Sequence, residues 1–190
     1  MKLTNFIAGI AMLLALTSCS DVVFKSPQPY KQNTYNLFPP QITGTYAFYD
    51  ERGEPTKDTL TVLYNRMFYN DLSGEVLFYG ELNKNVELTK DGNFFFINIL
   101  QEPTAGGSKF YDVFVLEQIN SSRYNVFSFD VAGDDKMLTR LKKITPAKFE
   151  VFTDEEDVRR AYIVNPTKSQ LMKMIYENIA VKIGEIKKVK

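Results

Sequence analysis

"RYNVFSFDV", residues 123–131, sets the pattern from which the fold is read. Side chains of an extended chain alternate with a period of two, so Phe127, Phe129 and Val131 share one face while Ser128 and Asp130 share the other. That describes a half-exposed strand with one face on a core. "FFFI" at 94–97 and "VLFY" at 76–79 are apolar on both faces. Such strands need two covers, the sheet interior on one side and a further layer on the other. Outward from these stretches the chain continues as short β-rich runs, at 43–49, 59–64, 67–69, 75–82, 86–89, 93–100, 109–119, 123–131 and 137–143. Asp91-Gly92, Gly106-Gly107, Asn120-Ser121-Ser122 and Gly133-Asp134 punctuate them as hairpin turns.

The period changes toward the C-terminus. Thr153-Asp154-Glu155-Glu156 reads as a capping box, with Val158, Ala161 and Tyr162 at helical spacing behind it. A second helix opens at Asn165-Pro166, either with Pro166 in its first turn or with Thr167 capping through Gln170. Leu171, Met174, Ile175 and Ile179 form its apolar stripe, suited to packing on the sheet. Residues 181–189 alternate enough for a last strand, bulged at Gly184, whose lysines suit a sheet edge. The expected fold is mainly β, of the α+β kind. An antiparallel meander forms a barrel or a strongly curved sheet, lipocalin-like in outline, with C-terminal helices packed on it.

The N-terminus follows different rules. Lys2 precedes an apolar run from Phe6 to Leu16, the layout of a secretory signal peptide and too short to span a bilayer. "LALTSCSD" at 14–21 holds the only cysteine of the 190 residues. Leu16-Thr17-Ser18-Cys19 resembles a bacterial lipobox, which implies cleavage before Cys19 and acylation of its thiol. Two or more acyl chains anchor stably, at about 0.8 kcal/mol per buried methylene. The expected organisation is a signal peptide over 1–18, a lipidated flexible tether over 19–40 and one β-rich domain over 41–190. The tether reading rests on Pro27, Pro29, Pro39 and Pro40 and on the lack of periodicity around them.

Composition excludes several chemistries. The chain has no histidine, which removes Ser-His-Asp and Cys-His catalysis. With no His and no second Cys, a zinc or copper site has no ordinary ligand set. Lys+Arg and Asp+Glu balance at 23 each, so there is no electrostatic case for nucleic acid. Asp130, Asp134 and Asp135 cluster in an acidic turn without the spacing of a calcium loop. Gly106-Gly107-Ser108-Lys109 lacks the spacing of a phosphate loop, and Asp154-Glu155-Glu156-Asp157 suits a helix N-terminus better than glycoside chemistry. Asn120-Ser121-Ser122 matches a glycosylation sequon but reads as a turn. Tyr46, Phe48, Tyr79, Phe94, Phe96, Phe110, Phe114, Phe127 and Phe129 read mostly as core, a minority being candidates to line a cavity.

Three stretches together resemble a family. "NLFPPQITGTYAFYDE" after a proline-rich segment, and "NPTKSQLMKMIYENI" followed by "VKIGEIKKVK", are similar to small lipoproteins of Bacteroidota. The resemblance covers most of the chain beyond Cys19. Its motifs are structural, and it carries no catalytic or binding residue over. Gly44-Thr45-Tyr46 also resembles the Gly-x-Trp of lipocalin first strands, with tyrosine in place of tryptophan. The resulting expectation is a lipid-anchored, non-enzymatic interaction or scaffold module of the cell envelope. It would be an outer-membrane lipoprotein, periplasmic or surface-exposed, held by acyl chains on Cys19 and needing no cofactor, with an envelope protein as partner. The alternative is a binding protein for a small hydrophobic ligand or glycan in a barrel mouth, and a carboxylate-based hydrolase comes last.

Overall fold

The computed structural model describes residues 22–101, 109–131, 134–153 and 158–189. Among these residues twelve strands and two helices make the chain mainly β. In chain order the strands are β1 (Val22–Phe24), β2 (Gly44–Tyr49), β3 (Pro55–Val62), β4 (Arg66–Asn70), β5 (Val76–Glu81), β6 (Val86–Asp91), β7 (Phe94–Gln101), β8 (Phe110–Asn120), β9 (Arg123–Phe129), β10 (Ala147–Thr153), β11 (Val158–Val164) and β12 (Ala180–Lys188). Helix α1 (Asp135–Ile144) lies between β9 and β10, and α2 (Lys168–Tyr176) between β11 and β12.

One mixed sheet contains all the strands, and it forks at β8. β7 lies along one edge of β8, from Phe110 to Glu117. The other edge is shared: β9 takes Val115 to Asn120, and β1 takes Tyr111. One branch runs β8-β9-β12-β2-β3-β4-β5, antiparallel throughout. With β6 and β7 added it makes an arc of nine strands. The other branch is β8-β1-β11-β10, in which β1 and β11 run parallel.

The arc does not close, so of the expected barrel or strongly curved sheet the structure has an open sheet, mixed where an antiparallel meander was expected. β5 and β6 are joined by a short turn and meet through a lone bridge, Leu82 to Val86, without a ladder. A Cβ on Gly80 of β5 would lie 2.6 Å from Val86 Cγ2 and 2.9 Å from Met67 Cγ, so the glycine lets these side chains pack against the β5 backbone.

The arc is covered on both faces where it matters. Its concave face buries Leu60, Met67, Ile97, Leu116, Val126 and Ile186, among others. Its convex face, at β7 to β9, buries Phe96, Val113, Val115 and Phe129 under β1, α1 and α2. Phe95 and Ile97 point inward and Phe96 outward, as the two-faced apolar pattern at 94–97 requires. The same reading fails at 76–79. β5 ends a branch, and Val76, Leu77 and Tyr79 are exposed. Nor is β9 half-exposed, because Tyr124 and Val126 fill the concave core opposite Phe129.

The expected tether is part of the fold from Val22 onward. Val22 and Phe24 enter the convex core and Val23 packs with Phe110, Ala161 and Ile163. Gln28 is bound in turn: its N–H donates to Asn98 Oδ1 (2.6 Å), and its carbonyl accepts from Asn98 Nδ2 and from Thr89 Oγ1. Tyr35 N donates to Leu88 O (2.9 Å) and Phe38 N to Tyr64 O (2.6 Å). Phe38 and Ile42 then plug one end of the concave core.

Three further expectations are corrected. The ninth expected strand, 137–143, is helix α1. Asp134 caps it, accepting from the N–H groups of Lys136 (2.8 Å) and Met137 (3.1 Å), and Leu141 and Ile144 are buried. The expected first C-terminal helix is replaced by the β10–β11 hairpin, in which Ala161 and Ile163 alternate with Tyr162 and Val164. Residues 154–157, which carry the proposed cap, lie outside the described residues. Helix α2 has the Thr167–Gln170 capping box, and Leu171, Met174, Ile175 and Ile179 enter the convex core. β12 has its register shift between Lys182 and Gly184, but it is central, between β9 and β2, and not an edge. Its charges are absorbed locally. Arg123 clamps Glu185 through Nε (2.8 Å) and Nη2 (2.7 Å), and Lys182 Nζ reaches Glu185 Oε1 at 3.0 Å. Lys187 Nζ sits 3.6 Å over the Tyr49 ring.

Phe24→Ala deletes a fully buried ring whose centroid lies 5.0 Å from that of Phe129. It is expected to lower unfolding stability by about 3–5 kcal/mol in urea titration, where a free tether would give no change. Glu185 supplies a second expectation. Hydrogen bonds from Arg123 and Lys182 hold its carboxyl down to about 2, against an ordinary 4.5. Its contribution is therefore complete above pH 4.5 and lost as pH falls toward 2. With Arg123 44% exposed and screened, the loss is expected at about 1–2 kcal/mol beyond that of Glu185→Gln. Parallel stability profiles for the two proteins between pH 5 and 2 would overturn it.

Candidate functional site

Strand alternation turns half of each strand toward the hollow of the arc, and the concave core does not fill that hollow. A cavity of about 320 Å³ remains, lined from β2, β3, β4, β5, β7, β8, β9 and β12. Its depth is set by the strands themselves. Met67 is buried and Tyr69, two residues on, is half-exposed; the same gradient runs from Ile97 to Ile99 and Gln101, and from Leu116 back to Phe114 and Asp112. The mouth therefore lies at the Tyr69, Gln101 and Asp112 end. The opposite end is shut by Phe38, Ile42 and a cluster of rings, with Tyr124 edge-on to Tyr46 (5.9 Å) and Phe95 (6.3 Å). Tyr124 Oη donates to Gln41 O (2.7 Å), which ties the plugging segment to β9.

Apolar side chains make most of the wall, and the polar groups gather at the mouth. Gln101 Nε2 donates to Asp112 Oδ2 at 2.6 Å across the β7–β8 ladder. Tyr69 Oη donates to Asp58 Oδ2 at 2.9 Å. Asp58 has the parity of Leu60 and Val62 on β3, so it belongs to the concave face just beyond Leu60. Burial pushes the Tyr69 phenol well above its ordinary range, and the Asp58 carboxylate adds to this by disfavouring a phenolate beside it. Burial likewise raises the Tyr46 phenol at the closed end. Among the lining residues Asp112 is the one formal charge.

Of the aromatic residues singled out from the sequence, Phe48 and Phe114 line the cavity. Tyr46 belongs to its closed end, Phe94, Phe96, Phe127 and Phe129 to the opposite core, and Tyr79 is exposed. Tyr69, Gln101, Asp112 and Asp58 were not among the candidates. Their signal was a polar residue at inward parity in an otherwise apolar strand, as in Phe110, Asp112, Phe114 and Leu116.

The other candidates take structural places or fall outside. Asp134 is a helix cap. Asn120 closes its turn by accepting from Ser122 N (2.9 Å) and Ser122 Oγ (3.1 Å). Cys19, residues 106–108 of the glycine pair and residues 154–157 of the acidic run lie outside the described residues. Among those described, no cluster of three metal-ligating side chains occurs, and no helix is long and apolar enough to cross a membrane. Comparison with protein-family models, with curated proteins and with solved structures finds no match.

The Tyr69–Asp58 pair is open to a direct test. In a spectrophotometric titration, Tyr69→Phe is expected to leave the phenolate signal up to about pH 11 unchanged, because exposed tyrosines ionise near 10. A drop in that signal by one tyrosine would place Tyr69 in free contact with water.

Proposed function

We propose that this protein binds a small apolar ligand in the cavity of its curved sheet, as a lipid-anchored protein of the cell envelope. One observation carries the binding reading: a concave space of about 320 Å³ with apolar walls and a few polar groups confined to its mouth. Ligand pockets run from roughly 300 to 1,000 Å³ and have that distribution of chemistry. The space is at the lower end, so the ligand is small. The wall chemistry favours an apolar body over a glycan, which needs hydrogen-bond partners along its length. The outline, a plugged curved sheet with its mouth at the other end, is lipocalin-like in this sense. The reading requires no catalytic step and no cofactor.

The anchor rests on the Cys19 lipobox and keeps its place in the proposal, with the outer membrane as the expected site. The proposal sets aside an interaction module on a long leash, because β1 begins three residues beyond Cys19 and three residues span at most about 10 Å. An anchored domain would lie close against the lipid surface, which suits capture or release of an apolar molecule at that surface.

The experiment is a fluorescence titration of the soluble domain, Ser20 to Lys190, with N-phenyl-1-naphthylamine, whose emission rises in apolar surroundings. Saturable binding in the micromolar range is expected. Ile97→Trp, which fills the depth of the cavity, is expected to weaken it by about tenfold or more. Because the chain has no tryptophan, Phe114→Trp adds a single reporter at the cavity wall, and its emission should shift as the probe binds. No saturable signal from the wild type, and no response from the Phe114→Trp reporter, would overturn the proposal.

A further inference from the structure

The sheet ends at β5, β6 and β10, and the chain treats these edges differently. β5 is capped by its own turn: Asn85 Nδ2 donates to Tyr79 O (2.9 Å) and Asn85 Oδ1 accepts from Glu81 N (2.8 Å), so a side chain stands in for a neighbouring strand. β6 is bridged by Tyr35, whose N–H donates to Leu88 O (2.9 Å). Among the described residues no strand lies on the outer edge of β10. An open edge is a template for a further strand.

The direction of the β10 backbone groups follows from β11. Val164 O accepts from Lys25 N (3.0 Å), so the backbone groups of Val164 point toward β1 and away from β10. Tyr162, two residues back, points the same way. Ala147 and Phe149, which lie opposite Val164 and Tyr162, therefore stand in pairs that exchange no hydrogen bond with β11. Their N–H and C=O groups project from the outer edge, and the backbone of Val151 follows them. Pro146 has the other parity, so its missing N–H leaves no gap in this row.

The side chains supply a register. Phe149 is 49% exposed, with its ring 5.1 Å from that of Tyr162 on the same face. Lys148 and Glu150 share the other face, joined Nζ to Oε1 at 2.7 Å. An antiparallel strand centred on Phe149 sets position 150 opposite 148. A second copy of β10 matches that template, because each lysine then meets a glutamate and the two phenylalanines meet at the centre, flanked by their tyrosines.

We infer that the protein forms a two-fold homodimer through β10, with the strands antiparallel, Phe149 opposite Phe149 and Lys148 opposite Glu150. Backbone hydrogen bonds form at positions 147, 149 and 151. The Lys148–Glu150 pairs fall at the non-hydrogen-bonded positions, where side chains come closest. Each ion pair within a chain is exchanged for one between chains, so no charge loses its partner. The contact uses one edge of each copy, and the edges that remain, β5 and β6, are already occupied, so the assembly closes at two. The inference is independent of ligand binding in the cavity.

Sedimentation equilibrium of the chain from Ser20 to Lys190, which contains every described element, tests this at pH 7. A reversible monomer–dimer equilibrium in the micromolar range is expected. Lys148→Glu and Glu150→Lys each set like charges opposite one another, and each is expected to weaken dimerisation by about tenfold or more. Mixed together, the two variants are expected to form a heterodimer, since 148 and 150 are then acidic in one copy and basic in the other. The double variant is expected to recover the homodimer. Phe149→Pro removes the central outward N–H, which β11 does not use, and is expected to be monomeric. A wild type that stays monomeric at every concentration, or that grows beyond the dimer, overturns the inference. So does dimerisation that neither charge reversal affects, or a mixture of the two variants that fails to pair. Should Phe149→Pro not fold, the charge reversals and their mixture decide.

Discussion

Strand β8 is buried on both of its faces, and most of the architecture answers that constraint. Phe114 and Leu116 point into the concave core while Val113 and Val115 point into the convex one. A strand with apolar side chains on both faces is stable only between two layers, each burying on the order of 25 cal/mol per Å² of apolar surface. The outer layer is assembled from distant parts of the chain: β1 from the N-terminal segment, α1 and α2 from the C-terminal region. β1 is three residues long, too short to hold itself, yet it takes the free edge of β8 at Tyr111 and pairs with β11 on its other side. The fork in the sheet follows, because β9 and β1 divide one edge of a strand that is longer than either.

The inner layer is the arc itself, and its curvature depends on β12. Gly184 sits at a bulge with φ near +153°, and a Cβ there would strike the Tyr49 carbonyl oxygen. A bulge sharpens local twist, and here it lies in the strand that joins the β7–β8–β9 wall to the β2–β5 wall. The Arg123–Glu185–Lys182 cluster spans the same junction from the convex side. The two devices sit on the strand where one wall passes into the other, and the ladder stays open between β5 and β6.

This division explains what could be read from the sequence. Strands β2 to β9 were legible because Phe94 to Ile97, and Phe127, Phe129 and Val131, carry their alternation locally, and hairpin turns separate them. Thr167, Gln170 and the Leu171 stripe were legible for the same reason. β1 was not, since three residues beside prolines have no period, and their pairing partners lie more than 80 residues away at Tyr111 and Tyr162. α1 was misread because Gly133-Asp134 looks like a hairpin turn, although Met137, Leu141 and Ile144 fit a helical spacing. The β10–β11 hairpin was not legible because Thr153 to Glu156 has the sequence of a capping box, which points to a helix where Val158 to Val164 form a strand. The cavity was legible only as aromatic density. Whether inward side chains meet or leave a gap depends on the distance between opposite walls, which the bulge and the open edge set and no local pattern records.

The mouth differs in kind from the rest of the concave face. A core built for stability alone would place an apolar residue where Asp112 stands, since a carboxylate on an apolar wall costs free energy unless it is hydrogen-bonded. Gln101 supplies that bond, and Tyr69 supplies the equivalent one to Asp58. Empty apolar volume costs too, on the order of 20 cal/mol per Å³ where a void is enclosed, and less here because the mouth is open. Fold stability explains neither the space nor its polar rim. The proposed binding of a small apolar ligand would use both, the open volume taking its body and the polar groups at the mouth meeting its end.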